Sequence, residues 1–348
     1  MTHAAASSPG ALNPRSDVTS LDLAQQRLRA FAAEAAGISP LYEHLASRAA
    51  EDPEIADLLT AASEDNATGE LLLAAAHRLV QAEPFHQLSN YYPSLGGTYG
   101  ADESTWPLFR DFLLERGDRV RALVSSQVIQ TNEVRRAALL YPAVAAAAKQ
   151  ASGPIGLVEA ATTAGLLLGL DQYSYRYQTR EAGQLVAGPA KAALGLHCAL
   201  ELAPGAVLPK LPKTVKVAAK AGIGVAPADL ADEDAYAWLE ACVWADQPER
   251  LRLFGVACGV LRKNPPRLVA GDPVADLAKA VEQIDAPLVV ISSGSGLDLV
   301  PALSALDRPV WWAAHEDGEL RLIRVRDSDV ERTTLATTEA HGQRLVWR

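Results

Sequence analysis

Residues 154–177, PIGLVEAATTAGLLLGLDQYSYRY, constrain the fold more than any other stretch of the chain. Residues 155–158 form a short apolar run, Glu159 closes it, and the residues from Ala160 to Gly165 are only Ala, Thr and Gly. A buried strand that passes through a small-residue turn into a helix is one unit of a parallel sheet. Ligands sit outside the carboxyl ends of such strands, where small residues let the backbone approach and an acid can hold ribose hydroxyls. The stretch therefore has two readings. It is either a nucleotide-binding turn, with Glu159, Ala161, Thr163 and Gly165 around the ligand, or an ordinary strand–turn–helix packing unit.

This turn lies just after a change of pattern. Residues 19–151 read as a helical region: apolar residues recur at helical spacing, Gly37 stands at a stop, and Ser39–Pro40 and Asp52–Pro53 each pair a capping residue with a proline suited to the first helical turn. From residue 152 to 348 short apolar runs alternate with helical stretches, the signature of βαβ units. Strands are expected at 155–158, 215–219, 268–270, 288–292, 309–313, 320–325 and 344–347, with helices from about 165–170 onward, at 233–243, 249–263, 273–284 and 297–306. The expected architecture is an α/β fold with a mostly parallel, seven-stranded, Rossmann-like sheet and an all-helical N-terminal region. Residues 1–18, rich in Ala, Ser, Pro and Gly, read as a loose tail.

Charge and composition remove several classes of function. With a formal charge of −10 and an isoelectric point near 5.3 the chain lacks the basic footprint of a nucleic-acid binder. Lys210, Lys213, Lys216 and Lys220 read as solvated charges at a strand entry. Cys198, Cys242 and Cys258 are too few and too scattered for a disulfide framework or a zinc site and sit among apolar neighbours. No leader and no membrane-length apolar run is evident, so a cytoplasmic protein is expected, with a small molecule as its partner, no nucleic acid and no membrane. His77, His86, His197, His315 and His341 lack ligand spacing, and no metal is expected.

Other polar clusters compete for a role in the site. Asn132 and Glu133, beside Gln130 and Thr131, read either as a helix cap or as groups that hold a substrate over the sheet edge. Residues 293–296, SGSG, lack both the G-x-S-x-G spacing and the P-loop lysine, and read as a flexible turn before a helix at Leu297. His315 and Glu316 read as a solvated turn, the tryptophans as core, and Tyr173, Tyr175 and Tyr177 as a pocket lining or a half-buried strand.

Several stretches resemble the uncharacterised, mainly actinobacterial family DUF2332: GISPLYEHLA at 37–46, LLLAAAHRL at 71–79, YYPSLGG at 91–97, QTNEVRRAALLYPA at 130–143, WLEACVWADQPER at 238–250, Gly271 with Asp272, and HGQRLVW at 341–347. In that family the central turn reads closer to E-x-G-x-S-A-G-L-N-L, which resembles the glycine-rich motif of S-adenosylmethionine (SAM) dependent methyltransferases. Glu159, Ala164 and Gly165 match it, whereas Ala161 stands in place of the first Gly and Leu167 in place of Asn. After the strand at 215 the family reads G-I-D and this chain has Gly222, Ile223 and Gly224, with Asp229 a few residues on. The resemblance implies SAM as cofactor, held by Glu159, Ala161, Thr163, Gly165, Asp229, Asp272 and Ser292, with Asn132 and Glu133 as catalytic positioning groups. It implies a methyltransferase-like protein with a partly degenerate cofactor motif, or a non-catalytic paralogue acting as a binding or partner subunit.

Overall fold

The computed structural model describes residues 19–326, 329–339 and 342–348. The tail expected at 1–18 and His341 lie outside the described residues. The N-terminal part is built from α1 (Ser20–Ala35), α2 (Pro40–Glu51), α3 (Pro53–Leu59), α4 (Gly69–Ala82), α5 (Thr105–Glu115), α6 (Gly117–Ser126) and α7 (Arg136–Ala151). The caps follow from local chemistry. Thr19 and Asp22 form a reciprocal capping box on α1, Ser39 Oγ accepts from Tyr42 N on α2, and the Asp52 carboxylate accepts from Glu54 and Ile55 N on α3. Ser39 also donates to Asp246 at 2.6 Å, tying the start of α2 to the C-terminal half.

The rest of the chain forms β1 (Ile155–Ala160), β2 (Ser174–Gln178), β3 (Gln184–Ala187), β4 (Gly195–Leu202), β5 (Val217–Gly224), α8 (Glu233–Ala241), α9 (Pro248–Leu261), β6 (Arg267–Ala270), α10 (Leu277–Val281), β7 (Leu288–Ser293), α11 (Val300–Ser304), β8 (Val310–Glu316), β9 (Glu319–Arg326), β10 (Asp329–Thr338) and β11 (Arg344–Trp347). Among the described residues eleven strands join one sheet in the order β3-β2-β4-β11-β10-β9-β8-β7-β1-β5-β6. β6, β5, β1, β7 and β8 run parallel, and β8 to β11 form an antiparallel meander. β11, β4 and β2 are again parallel, and β3 closes the far edge antiparallel to β2.

The sheet thus has eleven strands where seven are expected. The strands between β1 and β5 replace the helix expected after Gly165, of which only a 3-10 turn, Leu166–Gly169, forms. Gly165 has φ 73°, outside the helical region, and the Tyr173 ring lies on Gly169, where a Cβ would fall 2.2 Å from the Tyr173 hydroxyl. Period two then takes over: Tyr173, Tyr175 and Tyr177 are all buried and donate to the carbonyls of Leu166, Leu170 and Ala138. In β4, Leu196, Cys198 and Leu200 point inward from alternate positions. The missed β10, DVERTTLATT, is mostly polar and only partly buried, so it lacks an apolar signature.

Apolar side chains on one face of the sheet pack with α7 and α9, and those on the other pack with α10 and α11. Helices α1–α6 enclose a separate core around Leu28, Leu45, Leu72 and Phe109, into which Trp238, Cys242 and Ala245 from the C-terminal half also insert. Among the described residues no helix is long and apolar enough to cross a membrane.

Candidate active-site cleft

β1 has β5 on one side and β7 on the other, so the strand succession changes direction there and a crevice opens beyond its carboxyl end. The turn that leaves β1 is held tightly. Ala161 adopts φ 58°, a left-handed conformation in which a Cβ is strained. Thr162 N donates to the Ile223 carbonyl at 2.9 Å, and Thr162 Oγ1 accepts from Gly165 N at 2.9 Å. The small residues thus serve backbone packing of the turn against β5.

A cleft of about 240 Å³ lies over this edge. Asn132, Glu133 and Arg136 come to it from the start of α7 and the segment before it, Glu159, Ala161 and Thr163 from β1 and its turn, and Ser293 and Ser295 from the loop after β7. Glu159 is 7% exposed and its Oε2 has no hydrogen-bond partner; burial pushes its carboxyl up to about 7 against the lowering pull of the Thr162 hydroxyl and the Leu168 N–H. Asn132 donates to the Leu239 carbonyl at 3.1 Å and accepts from Thr163 Oγ1 at 3.3 Å, which locks α8 to the turn. Glu133 pairs with Arg250 at 3.1 Å, an ion pair set off the hydrogen-bonding axis. Its Oε1 accepts from Arg135 N. Neither residue caps α7, whose N-cap is Arg135.

Four of the residues expected at the cofactor lie elsewhere. Gly165 packs against Pro266 and Leu268 on the side of the turn away from the cleft. There a second, larger hollow of about 970 Å³ opens, lined by Ala164, residues 225–231, Leu261, Pro265, Pro266 and Leu268. Asp229 borders this hollow, its Oδ1 accepting from Ala231 N. Asp272 lies beyond β6, two strands from β1, where its carboxylate closes a local turn by accepting from Val274 and Ala275 N. Ser292 is fully buried on the opposite face, donating to Glu316 and accepting from Trp312 Nε1. Strand alternation turns Ser293 to the cleft instead.

His315 and Glu316 are not a solvated turn, because β8 continues through both and buries them. Glu316 accepts from Ser292 Oγ, Ser295 Oγ and Gly296 N, so the SGSG loop is tied down. The helix after it starts only at Val300, with Leu299 as its N-cap. His315 Nδ1 is 2.8 Å from Ser293 Oγ, and its Nε2 is 2.8 Å from Thr338 Oγ1. The signal in the sequence was the run VWWAAHE, which keeps strand character up to Glu316. Arg136, the cation of the cleft, was hidden among the helix-forming residues of α7; its guanidinium donates to the Ser293 carbonyl at 3.3 Å.

Among the described residues no group of three or more His, Cys, Asp or Glu side chains could hold a metal ion, and the three cysteines are free and buried. A family model described as "Uncharacterized protein conserved in bacteria (DUF2332)" matches residues 25–347, nearly the whole chain. No curated protein and no solved structure matches it.

Proposed function

The chain belongs to the DUF2332 family, uncharacterized proteins conserved in bacteria, and we propose that it binds a nucleoside-type small molecule, with SAM as the first candidate, over the carboxyl edge of β1. The observation that carries this reading is Glu159, a buried carboxylate whose Oε2 lacks a partner and which lines a cleft at the switch point of the sheet. A buried acceptor without a donor is costly, and a ligand ammonium or hydroxyl would relieve it. The parallel strands support the same reading, since the order β6-β5-β1-β7-β8 is third, second, first, fourth and fifth along the chain, as in doubly wound nucleotide-binding sheets. The polar cleft and the more apolar hollow flank one turn, which suits a molecule charged at one end and flat at the other. SAM is such a molecule: Glu159 would hold its ammonium, and Asp229, which lines the hollow, would accept from its ribose hydroxyls. Bound SAM supplies a methyl group on a sulfonium. The chain would contribute alignment of a small acceptor, with Asn132 and Glu133 as positioning groups.

Two observations favour the second reading, a non-catalytic binding or partner subunit. Gly224 is closed against the turn, so the family's acid has no room there, and no helix follows the turn to offer its N-terminus to a ligand. Calorimetric titration of the wild type and Glu159→Gln with SAM and S-adenosylhomocysteine at pH 8 tests the first reading. Micromolar to millimolar binding that weakens at least tenfold in the variant is expected. A folded wild type that binds neither compound overturns it in favour of the partner subunit.

A further inference from the structure

Ser293 ends β7 at the rim of the cleft, and its partner in register on β8 is His315. The hydroxyl lies 2.8 Å from Nδ1, and the other ring nitrogen lies 2.8 Å from Thr338 Oγ1 on β10. Burial and the nearby Arg136 charge push the imidazole down to about 4, so it carries one proton at neutral pH. With that proton on Nε2 the ring donates to Thr338, and the Nδ1 lone pair accepts from Ser293. Glu316 fixes the loop that follows by accepting from Ser295 Oγ and Gly296 N, and the Arg136 guanidinium lies against Gly294. A hydroxyl on an open rim, a base behind it, a third group orienting the base and a cation beside the reaction volume are the parts of an activated serine. The spacing of the sequence hides them because serine and histidine sit on adjacent strands.

We propose that Ser293 is a nucleophile activated by His315, and that the cleft accepts activated carboxylic esters of small molecules. Ser293 Oγ would attack the ester carbon as its proton passes to Nδ1, placing negative charge on the former carbonyl oxygen beside Arg136. Collapse breaks the bond to the leaving alcohol, which takes the proton from Nδ1 and leaves an acyl-serine. Water then attacks the acyl carbon, giving its proton to Nδ1, and the acid departs as Nδ1 returns a proton to Ser293 Oγ. A hydroxyl, Thr338, stands where serine hydrolases of the triad type carry a carboxylate, so the imidazolium is weakly supported and turnover is slow. This activity goes beyond ligand binding at Glu159 and needs no second ligand. Failure of SAM to bind leaves it standing.

The test is labelling of the full chain with a short alkyl fluorophosphonate at pH 8, read by intact mass and peptide mapping. Reaction forms an Oγ–P bond and releases fluoride. One adduct, on the peptide holding Ser293, is expected. It should vanish in Ser293→Ala and form at least about a hundredfold more slowly in His315→Gln, the lower end of what a general base contributes. Should His315→Gln fail to fold, Thr338→Val keeps the shape of the side chain and should slow labelling several-fold with an unchanged melting midpoint. No adduct on the folded wild type, an adduct on another residue, or equal rates in wild type and a folded His315 or Thr338 variant overturns the proposal.

Discussion

A Cβ placed on Gly224 would fall 2.1 Å from the carbonyl oxygen of Thr162, a backbone atom that cannot swing away. β5 therefore meets the turn after β1 at a point where only glycine fits, and the turn is locked there by Thr162 N on the Ile223 carbonyl. Gly224→Ala should destabilise the protein by about 1–3 kcal/mol, the usual cost of forcing atoms into a packed site. Gly224→Asp should cost more and should not tighten SAM, although an acid at this position is what the family pattern leads one to expect. Urea denaturation of both variants, with the same compounds titrated into whatever remains folded, checks this.

Ala161 is the converse case, a non-glycine residue held at φ 58°. A left-handed residue with a Cβ costs roughly 1–2 kcal/mol, and glycine there gives back about 0.4–1 kcal/mol through the greater freedom of the unfolded chain. Ala161→Gly should accordingly stabilise by about 0.5–1 kcal/mol. A lower urea midpoint in the variant would mean that the turn is not strained.

Ala161 stands where the family motif carries glycine, and its left-handed φ is one that glycine adopts without strain. What was legible came from local rules: caps at Ser39 and Asp52, the change of pattern near residue 152, and the strand run ending at Glu159. What was missed depends on partners far away in the chain. Nothing near Asp272 tells that β6 stands at the sheet edge, and Ser292 differs from Ser293 only by strand alternation. The helix expected after Gly165 does not form because Gly165 is left-handed and the alternating Tyr173, Tyr175 and Tyr177 are buried at strand period. His315 and Glu316 looked like a turn because two polar residues followed an apolar run, yet Ser293, Thr338, Ser292, Ser295 and Gly296 satisfy them across the sheet.

His77 in α4 is fully buried in the helical part. It donates from Nδ1 to the Ala241 carbonyl at 3.1 Å and accepts at Nε2 from Ser94 at 2.8 Å. Burial pushes its imidazole down to about 4. The native state then binds fewer protons than the unfolded chain between about pH 6.5 and pH 4, so stability is lost as pH falls through that window. The loss from this one group is on the order of 3 kcal/mol at 1.36 kcal/mol per unit. His315, depressed to a similar value, adds a second share. His77→Gln should be less stable than wild type at pH 7, and the stability difference between the two proteins should shrink by about 3 kcal/mol between pH 6.5 and 4 in urea titrations, since the other groups titrate in both. An unchanged difference would show that His77 charges freely in the native state.

Glu159 titrates with the opposite sign. Its carboxyl is raised to about 7 by burial, so the native state holds a proton that the unfolded chain has already released above about pH 4.5. The stability this protonation contributes is full below about pH 4.5 and is lost as pH rises to 7. The loss is on the order of 3 kcal/mol. Glu159→Gln keeps the shape and remains neutral, so its stability relative to wild type should climb by about that amount between pH 4.5 and 8. The comparison cancels the other carboxylates, which titrate in both proteins. A ligand ammonium needs the ionised form, and its affinity for wild type should rise roughly tenfold per pH unit up to about 7 and then level off, as the ionised fraction does. Paired denaturation and titration series over this range separate the two effects. A constant stability difference would mean that Glu159 is ionised throughout, with a partner for Oε2 already supplied.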